Sequence, residues 1–349
     1  MSLARFFTRV LMILPLTAGV VVVTDAIAED DDDSLLFDDR PLEQPLEFPA
    51  WFKLSFLDLQ DDLKEVRQEG KDGLMVYFGQ KYCAYCRAFL EKDLTKEDIR
   101  TYIEKHFDVI GIDIHGQRMV TDLAGTEMDE RQFAVKEHTN FTPSVIFYDL
   151  DGHEVLRLRG YYPPYRFRAA LEYVADVHYR KESFRDYLAQ ADVPLVFEPG
   201  EMNHEPFFLP GPYMLDRSRM PGERPLAVFF EQGNCWACDV LHTNLLDDPE
   251  IRERMSRFEA VQLPFWEDVP VVTPSGERTT ARKWAGKLGL FYTPTLIIFD
   301  TDGREIIRVD SVVQFYRLRN VLDYVLSGGY RKYPTFQRWR ELRNPAVYR

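Results

Sequence analysis

The only four cysteines in this 349-residue chain fall into two Cys-x-x-Cys pairs, Cys83–Cys86 and Cys235–Cys238. Each pair follows an apolar run, Leu74–Phe78 in one case and Leu226–Phe230 in the other, and each leads into a helical pattern. Further landmarks recur at the same spacing, to within one residue. Pro143 answers to Pro294, Asp151-Gly152 to Asp302-Gly303, and Tyr179-Arg180-Lys181 to Tyr330-Arg331-Lys332. Self-similarity of this long period, with a full set of elements in each copy, is the mark of a tandem domain duplication and not of a solenoid.

Each copy reads strand, helix, strand, helix, hairpin, helix. The runs Leu74–Phe78 and Val109–Ile112 are apolar on both faces, as central strands covered by helices are. Ser144–Tyr148, the turn at Asp151-Gly152 and Glu154–Leu158 form a hairpin signal. An amphipathic helix is expected over Leu54–Val66, a loop or small hairpin over Gly116–Met128, and helices over Asp129–His138 and Pro164–Ala175. The predicted fold is α/β in two units, 50–191 and 225–349. The proline-dense stretch 192–224 between them reads as a stiff linker or a strap across a domain surface.

Ahead of the first unit, Arg5 and Arg9 precede an apolar stretch from Val10 to Val23, and Ala26-Ile27-Ala28 precedes an acidic run. This is the layout of a cleavable secretory signal over 1–28. The stretch contains Pro15 and is shorter than the roughly 20 residues a spanning helix needs. An uncleaved anchor is the alternative. After cleavage no stable membrane insertion is expected, and the chain would work in the periplasm. Residues 29–49 read as an acidic, solvated leader in which Leu35-Leu36-Phe37 could dock on the body. A formal charge of −14 with no basic stripe excludes nucleic acid as a natural partner.

At a strand-to-helix junction the first sulfur of a Cys-x-x-Cys pair meets unpaired helix N–H groups, which favour a thiolate. Cys83 and Cys235 are therefore the candidate nucleophiles, and Cys86 and Cys238 the resolving thiols of thiol–disulfide exchange. Three other readings stand beside this one. The four sulfurs could hold one zinc, although the pairs are too far apart for a ribbon. They could be inert bridges, although so short a loop gains little stability. One pair could be active and the other degenerate. An exported chain meets an oxidising environment, which favours redox chemistry.

Both repeats resemble the thioredoxin fold, with the Cys-x-x-Cys after a central strand and Thr142-Pro143 or Thr293-Pro294 before a later one. That resemblance implies that both prolines are cis and that no metal is held. It also implies that the backbone of Thr142 and Thr293 pairs with an extended substrate. Tyr85 and Trp236, inside the two motifs, are the aromatic residues expected to meet substrate.

Domain one is similar to the periplasmic thioredoxins of sulfur-oxidation clusters through Asp113-Ile114-His115-Gly116, Phe141-Thr142-Pro143 and Gly160-Tyr161-Tyr162-Pro163. This implies a reductase of protein or sulfur-compound disulfides, supplied by a membrane thiol-electron transporter. No cofactor beyond the redox-active disulfides is expected. Disulfide isomerase or oxidase activity, or a non-catalytic adaptor, are the alternatives. Thioredoxins carry a buried aspartate six residues before the first cysteine, where this chain has Tyr77 and Phe229, so either a water or a nearby side chain such as Glu231 would serve the resolving thiol, or resolution is slow. Glu231 reads as a solvated strand-end residue, and His106, His115 and His138 as surface or capping residues.

Overall fold

The computed structural model describes residues 36–191 and 201–343. The predicted signal over 1–28, the start of the leader and residues 192–200 of the linker lie outside the described residues. The first repeat runs α1 (Leu59–Glu69), β1 (Gly73–Gly79), α2 (Ala84–Ala88), α3 (Glu97–His106), β2 (Phe107–Asp113), β3 (Met119–Thr121), β4 (Glu127–Asp129), α4 (Glu130–Lys136), β5 (Ser144–Tyr148), β6 (Glu154–Arg159), α5 (Pro164–Ala175) and α6 (Phe184–Ala191). The second runs β7 (Tyr213–Met214), β8 (Leu226–Glu231), α7 (Trp236–Val240), α8 (Pro249–Met255), β9 (Glu259–Pro264), β10 (Pro270–Val272), β11 (Arg278–Thr280), α9 (Ala281–Lys287), β12 (Thr295–Phe299), β13 (Glu305–Val309), α10 (Phe315–Leu326) and α11 (Phe336–Arg343).

Each repeat is built on a four-stranded mixed sheet, β2-β1-β5-β6 in the first and β9-β8-β12-β13 in the second. Alternation along the central strand assigns its residues to two layers. Met75 and Tyr77 face α3 and α5, packing with Ile103, Phe167 and Leu171. Leu74, Val76 and Phe78 face α1 and α4, packing with Leu63, Val66 and Phe133. Strand β1 is buried on both sides along its whole length. Burying each large apolar side chain contributes about 1.5–3 kcal/mol, which fixes the strand that ends at the first cysteine pair.

One departure from expectation has a local cause, and the leader and linker take forms the sequence left open. Helix α1 begins at Leu59 because Asp58 caps it, accepting from the N–H groups of Gln60 and Asp61, and Leu57 has a left-handed φ of 64°. Leu54 and Phe56 consequently lie outside the helix and fully exposed. Parts of the described leader dock on the body while most of its residues stay exposed. Leu42 and Leu46 donate backbone hydrogen bonds to Tyr82 and Lys81, and the ring of Phe37 packs edge-on against Tyr85 at 4.8 Å. The described part of the linker is a strap, with Leu209 donating to the Ala260 carbonyl and β7 pairing in parallel with β10. Among the described residues no helix is long and apolar enough to cross a membrane.

The two repeats pack on each other reciprocally. Val312 donates to the carbonyl of Tyr161, and these two residues occupy matching positions in their repeats. Phe336 at the start of α11 donates its N–H to Asn140 in the loop before Pro143. Arg185 at the start of α6 in turn donates to the Leu290 carbonyl in the loop before Pro294. Contacts of i with j matched by j with i define an approximate two-fold seam. The seam is close: a Cβ built on Gly160, whose φ is +107°, would lie 2.1 Å from Ser311 Oγ.

Candidate redox centres

Strands β1 and β8 deliver the cysteine pairs to the starts of α2 and α7. In each repeat the first cysteine is the N-cap, extended in backbone, and its sulfur accepts the N–H of the second cysteine, at 2.9 Å for Cys83 and 3.1 Å for Cys235. Both pairs are closed as disulfides with Cα atoms 5.1 Å apart. A sulfur so placed gains from helix N–H groups whenever it carries charge. A π-helical turn follows each short helix, Phe89–Asp93 and Leu241–Leu246. Such insertions are frequent at functional sites.

The Thr-Pro loops come to the sulfurs as expected. Thr142–Pro143 and Thr293–Pro294 are both cis, as is Gly211–Pro212 in the strap, which the sequence did not suggest. Cys83 Sγ lies 3.5 Å from the Thr142 carbonyl oxygen and 3.4 Å from its hydroxyl. Cys235 Sγ lies 3.8 Å and 3.7 Å from the matching atoms of Thr293. All eight residues, Cys83, Cys86, Thr142 and Pro143 with Cys235, Cys238, Thr293 and Pro294, are thus grouped into two equivalent centres.

The two aromatic residues part company. Trp236 is 48% exposed beside Cys235. Tyr85, expected at a rim, is only 4% exposed because the leader and the second repeat close over it. Its hydroxyl donates to Asp39 at 3.0 Å and accepts from the Gln314 N–H at 2.8 Å. Asp39 in turn accepts the N–H groups of Tyr316 and Arg317 at the start of α10. Burial pushes the Tyr85 phenol well above its ordinary pKa.

Glu231 is a correction: it is wholly buried at the end of β8, not solvated. His242, one helical turn beyond Cys238, bonds Glu231 Oε2 through Nε2 at 2.9 Å and Glu205 of the strap through Nδ1 at 2.9 Å. Gln262 donates to the same Glu231 oxygen at 3.1 Å. Burial alone would lower the pKa of His242, but the two flanking carboxylates reverse this and hold it above the ordinary value. The second centre therefore has an internal ionisable group. In the first, Gly79 stands where Glu231 does, and the Tyr77 phenol fills the space, 2.8 Å from a Cβ built at Gly79. Burial drives the Tyr77 pKa far up, so that ring stays neutral.

Sequence reasoning offers Glu231 as a partner of the resolving thiol but misses His242 and Glu205, because the three come from a strand, a helix and the strap. One signal was available: Gly79 and Leu90 both become ionisable, as Glu231 and His242, when the halves are aligned. His115 is also less peripheral than expected, lying 3.1 Å from Gln80, whose amide donates to the Thr142 hydroxyl. His106 pairs with Asp72 at the end of α3. Among the described residues, one group has metal-ligating geometry, Asp149, Asp151 and His153. It lies in the β5–β6 turn, at the far end of β5 from Pro143, and in the second repeat Arg304 bridges the matching carboxylates of Asp300 and Asp302.

A family model described as Thioredoxin-like domain matches the chain twice, over residues 59–175 and 214–326. None of the curated proteins compared with the chain matches it. Solved structures that match include a thioredoxin-fold protein from Helicobacter pylori, 26% identical over 35% of this chain and 80% of that one, with a TM-score of 0.30. A thioredoxin from Thermus thermophilus is 22% identical over 34% and 83%, with a TM-score of 0.28. A disulphide isomerase from Xylella fastidiosa Temecula1 is 19% identical over 42% and 96%, with a TM-score of 0.24.

Proposed function

Because the chain belongs to the thioredoxin-like domain family and is a thiol–disulfide oxidoreductase, we propose that it works in the periplasm as a reductase. Its substrates would be disulfides of proteins or small sulfur compounds, and a membrane thiol-electron transporter would keep it reduced. The observation that carries this reading is the placement of each cysteine pair at a helix start beside a cis Thr-Pro loop. Support for the reductive direction comes from the resemblance of the first repeat to thioredoxins of sulfur-oxidation clusters.

In the reaction, the first-cysteine thiolate attacks a substrate disulfide and one substrate sulfur leaves as thiolate. The second cysteine then attacks the mixed disulfide, closing the Cys-x-x-Cys bond and releasing the other substrate sulfur. At the second centre the exposed Trp236 would meet the substrate, and the Glu231–His242 pair would accept the proton of Cys238 as it becomes a nucleophile.

Reduction potentials test the direction. Values nearer the roughly −270 mV of a reducing thioredoxin are expected for the two pairs, and values near about −120 mV would instead mark an oxidant. Insulin reduction by the full chain should be lost when Cys83 and Cys235 are both replaced by serine.

A further inference from the structure

The redox centre of the first repeat contains a cation that comes from the second. Arg317, in the first turn of α10, is buried, and its Nη2 donates to the Thr142 carbonyl at 2.8 Å. Cys83 Sγ lies 3.5 Å from that same oxygen, so sulfur and guanidinium flank one atom. The guanidinium carbon stands 3.2 Å from the centre of the Tyr85 ring and 5.0 Å from that of Phe141. These ring faces suit a cation.

Among the described residues no carboxylate accepts a hydrogen bond from this guanidinium. Arg317 makes no salt bridge among the described residues, and its Nη1 is buried without a hydrogen-bond partner. Asp39 is the neighbouring carboxylate, but its oxygens are taken by the N–H groups of Tyr316 and Arg317 and by the Tyr85 hydroxyl. A buried donor without an acceptor is costly and calls for an explanation. The titratable groups lining the cavity at Cys83 are Asp39 from the leader, Tyr82 and Tyr85 beside the cysteines, Arg317 from α10 and Arg340 from α11. His115 stands one bond further away, through Gln80. Two guanidinium groups face one carboxylate there.

We propose that Arg317 is a positioning residue for the redox centre of the other repeat: it holds the Thr142 carbonyl and stabilises the Cys83 thiolate that appears when the disulfide is reduced. On reduction a donor dithiol gives two electrons to the Cys83–Cys86 S–S bond and becomes a disulfide. Of its two protons one goes to the Cys86 sulfur and the other to water, leaving Cys83 as the thiolate. The inference rests on the reading that this pair cycles between disulfide and dithiol. It makes the chemistry of the first repeat depend on the docking of the second.

The test uses the full chain with Cys235→Ser and Cys238→Ser, so that only the first pair titrates. The protein is reduced with dithiothreitol, freed of it, and the thiolate absorbance followed against pH. An opposite charge within about 4–6 Å lowers a pKa by roughly 1–3 units, so Arg317→Gln is expected to raise the lower thiol pKa by about that much. Arg317→Lys, which keeps the charge, should recover most of the shift. An unmoved pKa in Arg317→Gln overturns the proposal, and so does an equal rise in both variants, the signature of a loosened seam. If Arg317→Gln does not fold, Asp39→Asn decides. Removing the one carboxylate of the cavity should lower the pKa, and no change overturns the proposal. A Cys83–Cys86 pair that dithiothreitol cannot reduce in any form would overturn the redox reading of this repeat as well, whereas reduction with an unmoved pKa overturns the role of Arg317 alone.

Discussion

Behind Cys86 the first repeat carries Tyr77, Gly79 and Leu90, and behind Cys238 the second carries Phe229, Glu231 and His242 at matching positions. One set is neutral at any physiological pH, the other holds a carboxylate and an imidazole in a hydrogen-bonded chain. The surroundings differ in the opposite sense. The neutral centre receives a buried guanidinium from its neighbour, while the ionisable one presents an exposed tryptophan. Two copies of one fold thus place different charged groups around their cysteine pairs, a carboxylate and imidazole from within the repeat in one and a guanidinium from across the seam in the other. The backbone frame, with its helix start and Thr-Pro loop, is common to both. The difference teaches that this frame sets where the sulfurs sit, while the charged groups around them are free to diverge between the copies.

Giving the second repeat the leucine of the first should have the largest effect. His242→Leu leaves Glu231 and Glu205 buried without their partner, which is expected to cost about 3–5 kcal/mol in urea unfolding at neutral pH. Adding Glu231→Gln should recover part of it. The pH dependence sharpens the point. Because the folded pKa of His242 is raised, its contribution is fully present below the unfolded value of about 6.5 and is lost as pH rises through the folded value. Stability should therefore decline on the alkaline side of about pH 6.5, and His242→Leu should flatten that decline.

A smaller effect is expected at Tyr85, whose counterpart is Ala237. Tyr85→Phe strips a partner from Asp39 and removes the hydroxyl that accepts the Gln314 N–H in a buried place, at a cost of about 1–3 kcal/mol read by thermal unfolding. Smallest of all in stability is Trp236→Ala. An exposed side chain of this kind changes unfolding by no more than about 0.5 kcal/mol. Its effect should appear instead as a lower yield of mixed disulfides at Cys235 when Cys238→Ser is used to trap them.

The duplication, the cysteine pairs and the Thr-Pro loops could be read from the chain because their signals are local or recur at fixed spacing. Helix α1 was placed too early because Leu54 and Phe56 continue an apolar pattern that the Asp58 cap interrupts. Glu231 carries two readings in the sequence, a partner of the resolving thiol or a solvated strand end, and the sequence alone favours the second. A glutamate at a strand end is ordinarily solvated, and only a histidine eleven positions on and a strap residue from before the strand make burial tolerable. Arg317 gave no signal at all, since its place beside Cys83 depends on how two finished domains meet. Tyr85 followed the same rule, having been assigned to a surface that the leader and α10 cover.

Gly160 and Ser311 meet across the approximate two-fold, a bare backbone against a hydroxymethyl group that fills the space before it. Two identical chains could not make that fit on a symmetry axis. Serine on both sides would collide, and glycine on both would leave a gap. Joining the copies in one polypeptide relaxes this constraint, because a change at the seam then occurs once and its neighbour can answer with a different one. The covalent link does more than hold the halves together. It lets complementary shapes, and with them unequal chemistry, occupy places that a dimer would have to keep alike.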